Sequence, residues 1–184
     1  MIENTRVRRA AVAFVGRLSS VLVLLGSSAA PAEPPAPLVD SQRIIHSLQP
    51  SPANTRGLRV AARTPMDVDH KVTLDIRFAN DSDRLTSAAY AQLAELGTAL
   101  ASPQLADARF LIAGHTSATG AAQHNQHLSE ARARAVRSYL LEHFHIAPAR
   151  LEAIGFGAAR PLPAFPAKAL EQRRVEISTL PPAS

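Results

Sequence analysis

Between residues 70 and 180 the chain switches repeatedly between two hydrophobic periods, and that succession restricts its fold more than any single motif does. In HKVTLDIRF, Val72, Leu74, Ile76 and Phe78 alternate with polar residues, the period of a strand with one buried face. After ANDSD and Leu85, Thr86 is placed to cap a helix in which Tyr90, Leu93, Leu96 and Leu100 recur at helical spacing to about Ala101. ARFLIAGH is short, apolar and closed by a glycine, so it predicts a second strand. Past GHTSATG, the residues Leu128, Ala131, Ala135, Val136, Tyr139 and Leu140 mark one face of a helix from about Ala121 to His143, with Pro148 barring continuation. LEAIGFG predicts a third strand and RRVEISTL, with alternating Val175, Ile177 and Thr179, a fourth. The order β-α-β-α-β-β predicts an α/β (α+β) fold: a mixed four-stranded sheet with its helices packed on one face. Parallel neighbours joined by crossover helices and an antiparallel last strand are expected.

The rest of the 184-residue chain reads differently. Residues 1–32 join a basic RVRR to the apolar LSSVLVLLG and then to small residues near Ala30 and Ala32, the layout of a cleaved signal peptide. A retained anchor over residues 10–30 would put Arg17 near mid-span, at a cost of about 2.5–3.5 kcal/mol. Residues 33–69 are proline-rich at EPPAPL and turn-rich at QPSPANTRG, which predicts a flexible linker spanning about 30–35 Å; only SQRIIHSL within it could form a helical turn. Residues 70–180 form the expected domain and 181–184 a tail. The net charge of +5 is misleading, because Arg6, Arg8, Arg9 and Arg17 outnumber Glu3 by three, and the +2 left for the other residues argues against a nucleic-acid partner. No cysteine is present, which excludes disulfides, thiolate metal sites and cysteine lipidation.

Five short patterns stand in order: Phe78-x-x-x-Ser82-x-x-Leu85; GHTSATG at residues 114–120; Asn125-x-x-Leu128-Ser129-x-x-Arg132-Ala133-x-x-Val136; Gly155-x-Gly157-x-x-x-Pro161; and QRRVEI from Gln172 to Ile177. Together they cover about 110 residues, and this segment resembles the peptidoglycan-binding domain found in outer-membrane protein A, peptidoglycan-associated lipoprotein and flagellar stator proteins. The resemblance implies non-covalent binding of the cell wall through the diaminopimelate of its stem peptide, in the periplasm or cell envelope and in association with an outer membrane, with no cofactor. Envelope proteins are further partners it allows, and dimerisation is left open.

Diaminopimelate ends in an ammonium and a carboxylate, so its site needs a fixed cation and a fixed acceptor. The resemblance puts Arg132 at the carboxylate position, where a guanidinium forks onto two oxygens in a way lysine does not reproduce. Arg173 matches a second arginine near the same carboxylate. Asn125, Thr116 and Ser117, with Asn80 and Asp81 from the loop after the first strand, complete the implied site. This chain departs from the family pattern at two places: position 117, usually aspartate and the ammonium acceptor, is Ser117, and an acidic residue usual after the phenylalanine is Ala79. Exchanging a charge-assisted hydrogen bond for a neutral one costs about 1–3 kcal/mol, so weakened wall binding is expected. Asp81, on the neighbouring loop, is a candidate to supply the missing charge.

The same residues bear on other functions. His115, His124 and His127 form a conceivable zinc set, but no cysteine or nearby carboxylate completes it. Ser117 lacks the G-x-S-x-G surroundings of a nucleophile elbow, and no carboxylate pair suggests glycosidic cleavage, so no enzyme activity is expected. The alternative reading is a degenerate domain of this type that serves as a periplasmic protein-interaction module.

Overall fold

Four strands, β1 (Lys71–Leu74), β2 (Arg109–Gly114), β3 (Leu151–Gly155) and β4 (Val175–Leu180), hydrogen-bond into one sheet in the order β1-β4-β2-β3. β4 is antiparallel to both β1 and β2, whereas β2 and β3 run parallel. A parallel pair needs a crossover, and the helix α3 (Ala122–His143) supplies it. With α2 (Ser87–Leu100) between β1 and β2, the order and the mixed sheet are those expected from the hydrophobic periods. The computed structural model describes residues 37–49 and 70–181, all within the compact unit Pro35–Ser184. The signal peptide expected at 1–32 and the tail beyond Pro181 lie outside the described residues.

The strands explain why the helices gather on one face. Val72, Leu74, Phe110, Ile112, Leu151, Val175 and Ile177 point into one core with Leu93, Leu96 and Leu100 of α2 and Ala133, Val136 and Leu140 of α3. The alternate β2 residues Leu111 and Ala113 are buried but stand outside that core. Two glycines let α3 approach the sheet closely: a Cβ on Gly114 would stand 2.3 Å from the Ser129 carbonyl oxygen, and one on Gly155 would stand 2.3 Å from the Glu130 amide nitrogen. Among the described residues no helix is long and apolar enough to cross a membrane.

Four expectations need correction. First, residues 37–49 are not linker: SQRIIHSL folds as α1 (Ser41–Leu48), with Asp40 accepting from the Arg43 amide as its cap. Ile44 and Leu48 are fully buried. Gln92 of α2 accepts from the Val39 amide and donates back to the Val39 carbonyl, Glu95 accepts from the Ser41 amide, and Thr179 Oγ1 donates to the Leu48 carbonyl. A two-turn helix has too little propensity to stand alone, so these contacts decide its existence. The rest of residues 50–69 lies outside the described residues.

Second, the first strand stops at Leu74, and Phe78 forms an isolated bridge with Leu85 that closes the following loop. Third, Thr86 is the N-cap residue of α2 but its hydroxyl donates to the Arg77 carbonyl instead of capping, because the same loop closure brings that oxygen to it. Fourth, Tyr90 is 44% exposed and not core; its ring meets Tyr139 of α3 at 5.4 Å between centroids.

Candidate functional site

α3 builds the site through one buried stripe. Asn125, Ser129, Arg132 and Val136 recur at helical spacing and are all buried. Arg132 lies midway along α3. Its Nε donates to the Ser82 carbonyl at 2.9 Å, and its guanidinium carbon lies 5.0 Å from the centre of the Phe78 ring. The Phe78–Leu85 bridge and the Ser82 hydroxyl, which accepts from the Arg84 amide, shape the loop that presents that carbonyl. Among the described residues neither Nη1 nor Nη2 of Arg132 has a hydrogen-bond acceptor. Burial and the charge of Arg173 push its pKa below the usual arginine value, while Asp81 and Asp83 oppose that fall. The guanidinium stays charged at neutral pH and holds two donors in reserve.

Arg173 is exposed and ends the 3₁₀ turn Leu170–Gln172, two residues before β4 rather than at its start. It makes no side-chain hydrogen bond or ion pair among the described residues. The positive charges of Arg173 and Arg132 disfavour each other, and the charges of Asp81 and Asp83 offset this at Arg132. Asp81 is 46° in φ, the left-handed region that aspartate tolerates better than most residues. Its Oδ1 lies 2.6 Å from Nε2 of His124, in the first turn of α3. Asn80 precedes it, exposed in the same turn.

The GHTSATG loop is fastened from several sides. The amide nitrogen of Asn125 donates to the Ser117 and Thr119 carbonyls, at 3.3 and 2.9 Å, so this side chain holds the loop. Ser117 is buried, and its hydroxyl shares a 2.8 Å hydrogen bond with Thr119 Oγ1. The Thr116 amide donates to the Gly157 carbonyl, and the Ala118 amide to the Ala167 carbonyl. Ser129 serves the framework: its Oγ donates to the Gln126 carbonyl and accepts from the Gly157 amide. Thus α3 carries both groups of candidates: Arg132 with Asp81 and Arg173, and Asn125 with Ser117 and Thr116.

A buried polar cluster at the end of β2 escaped the sequence reading. His115 and Thr116 are buried, with no side-chain hydrogen-bond partner among the described residues. His115 stacks on Phe156, with centroids 5.5 Å apart. Burial and then the charge of Arg174 bring its pKa down to about 4, against the opposing pull of Glu176 at 3.9 Å. Arg174 is itself buried and donates to Glu176 at 2.8 Å and to the Gln172 and Arg160 carbonyls. Burial would raise the Glu176 pKa, but the Arg174 hydrogen bond and charge win and hold it below the usual carboxylate value. Buried Gln172 accepts from the Leu162 amide and donates to the Leu162 and Phe165 carbonyls, pinning the loop before β4. The QRRVEI string held these residues, but only the alternation of β4 reveals which ones turn inward. His115 and His124 belong to separate clusters, and among the described residues no group of His, Asp or Glu could hold a metal ion.

Comparison with known proteins bears on the family and the fold. The profile of the OmpA family matches residues 77–174. Outer membrane porin F of Pseudomonas aeruginosa is 30% identical over 143 residues, covering 74% of this chain and 40% of that protein. Outer membrane porin F of Pseudomonas fluorescens is 34% identical over 110 residues, covering 59% of this chain and 33% of that protein. The chain therefore spans less than half the length of these relatives. Among solved structures, the OmpA-like domain of FopA1 from Francisella tularensis superposes with a TM-score of 0.51 at 24% identity, covering 62% of this chain and 77% of that one. The periplasmic domain of Helicobacter pylori MotB gives a TM-score of 0.51 at 21% identity, covering 61% and 73%. At these identities the two structures establish the fold alone, but the profile match extends over more than half of the sequence: the chain belongs to the OmpA family.

Proposed function

We propose that the domain binds peptidoglycan non-covalently, taking the diaminopimelate of the stem peptide and tethering an envelope component to the wall. The observation that carries this reading is the half-used guanidinium of Arg132: buried, braced by Nε on Ser82, with both terminal nitrogens lacking a protein acceptor among the described residues. A carboxylate from the ligand would take those two donors in the forked geometry that makes arginine–carboxylate pairs strong, with Arg173 adding a second positive charge from the facing turn. The reading is of a binding module and not an enzyme. Membership of the OmpA family supports it, as does the attraction between Arg132 and Asp81, the residue before the Ser82 carbonyl to which the arginine is tied.

Affinity is set lower by position 117. The Ser117 hydroxyl is neutral and already engaged with Thr119, so it offers the ligand ammonium no charge. That same neutrality favours the second reading, a domain whose wall site has decayed into a protein-interaction surface. Co-sedimentation of the protein with isolated cell-wall sacculi tests both. Binding by the native protein that falls at least tenfold in Arg132→Ala is expected; no binding by the native protein, or equal binding by both, would refute wall recognition through this site.

A further inference from the structure

We infer that His124 is a positioning residue of the ligand site: it holds the Asp81 carboxylate as the anion that replaces the charge absent at Ser117. This inference rests on the wall-binding reading above and adds to it the partner of the ligand's ammonium.

Three observations converge. Asp81 is the one described non-glycine residue with a left-handed backbone, φ 46°, so the loop after β1 adopts an uncommon conformation at that residue. Its carboxylate meets a group from a different element, His124 Nε2 at 2.6 Å, across the space between the loop and the first turn of α3. And Asp81 acts on Arg132 as a charge of opposite sign, while the residue after it, Ser82, supplies the carbonyl to which Arg132 is tied. A cation and an anion thus stand within electrostatic reach of each other, as a zwitterionic amino-acid end requires.

The chemistry of the pair specifies what His124 contributes. A carboxylate only accepts, so Nε2 must carry the hydrogen of this bond. Asp81 spends one oxygen on His124 and keeps the other for an incoming ammonium. With a cationic group at position 124 the pair would be neutral overall and the ammonium would meet a competitor. The charged groups that act on Arg132 are Arg173 on the turn before β4 and Asp81 and Asp83 on the loop; His127 stands one turn along α3 from His124, exposed. A simple loop fastener would behave differently, since a lysine at 124 would fasten an aspartate at least as well.

The test uses the full chain and the tripeptide L-alanyl-γ-D-glutamyl-meso-diaminopimelate, with affinities measured by calorimetry for native protein, His124→Gln, His124→Ala, His124→Lys, Asp81→Asn and Arg132→Ala. Gln keeps a neutral donor and is expected to bind within about twofold of native, while Ala, Lys and Asp81→Asn each fall about tenfold or more. A tripeptide ending in 2-aminopimelate, without the distal ammonium, should not distinguish native from Asp81→Asn. Both His124 and Asp81 are exposed, so the variants are expected to fold, which a thermal melt verifies. If native protein binds, Arg132→Ala does not, and the three His124 variants bind alike, the inference is overturned and the wall-binding reading stands. If native protein fails to bind the tripeptide, both fall.

Discussion

His115 Nε2 lies 3.9 Å from the Glu176 carboxylate, yet the imidazole is held neutral. Burial and Arg174 outweigh the attraction, so the proximity marks an acid-sensitive point and not a stabilising ion pair. The unfolded chain takes up this proton near the ordinary histidine value of 6.5, the folded chain only near 4. Stability from this group is therefore complete above about pH 6.5 and declines as pH falls toward 4, by about 3 kcal/mol in all. Glu176, with its depressed pKa, adds a further loss only as its own carboxylate protonates at still lower pH. Denaturant unfolding followed from pH 7.5 to 4.5 should show the decline, and His115→Phe, which can keep the contact with Phe156, should flatten it. An unchanged slope in that variant would show that His115 is not its source.

Gly155→Ala should cost about 2–4 kcal/mol, because the added methyl would meet the Glu130 amide nitrogen at 2.3 Å and Ser129 Oγ at 2.4 Å. Backbone cannot yield as a side-chain tip can, so α3 would have to lift from β3. The midpoint of urea unfolding reports the loss, and a variant as stable as native would mean that the helix has room to shift.

α1 can be tested by Ile44→Ala. Ile44 is fully buried in the common core, and removal of so large a side chain costs about 2–5 kcal/mol. If residues 37–49 were a passive tether, the substitution would leave unfolding unchanged. A chain beginning at His70 is expected to lose stability in the same sense.

Ser117→Asp should trade stability for affinity. The site is buried and Ser117 already pairs with Thr119, so an unpartnered carboxylate there lowers the unliganded melting temperature. An ammonium-bearing ligand would repair that defect, and binding to sacculi should tighten about tenfold. Equal binding by the two proteins would show that charge at position 117 is immaterial in this chain.

The alternation of Val72 and Leu74, the helical recurrence of Leu93, Leu96 and Leu100, and the motif containing Arg132 were legible from the residues alone, because burial on one face imposes a period on the chain. The docking of α1 was not. Its eight residues carry a weak helical pattern amid prolines, and Gln92, Glu95 and Thr179, which fasten it, lie about 50 to 130 positions away. The same reason hid the Asp81–His124 pair and the isolation of His115: hydrogen bonds and burial between distant residues leave no local period. The residues themselves determined where the four strands and the longer helices α2 and α3 form. Tertiary packing alone decided which polar groups are satisfied by the protein, since that depends on neighbours brought together only when the sheet and α3 close on each other.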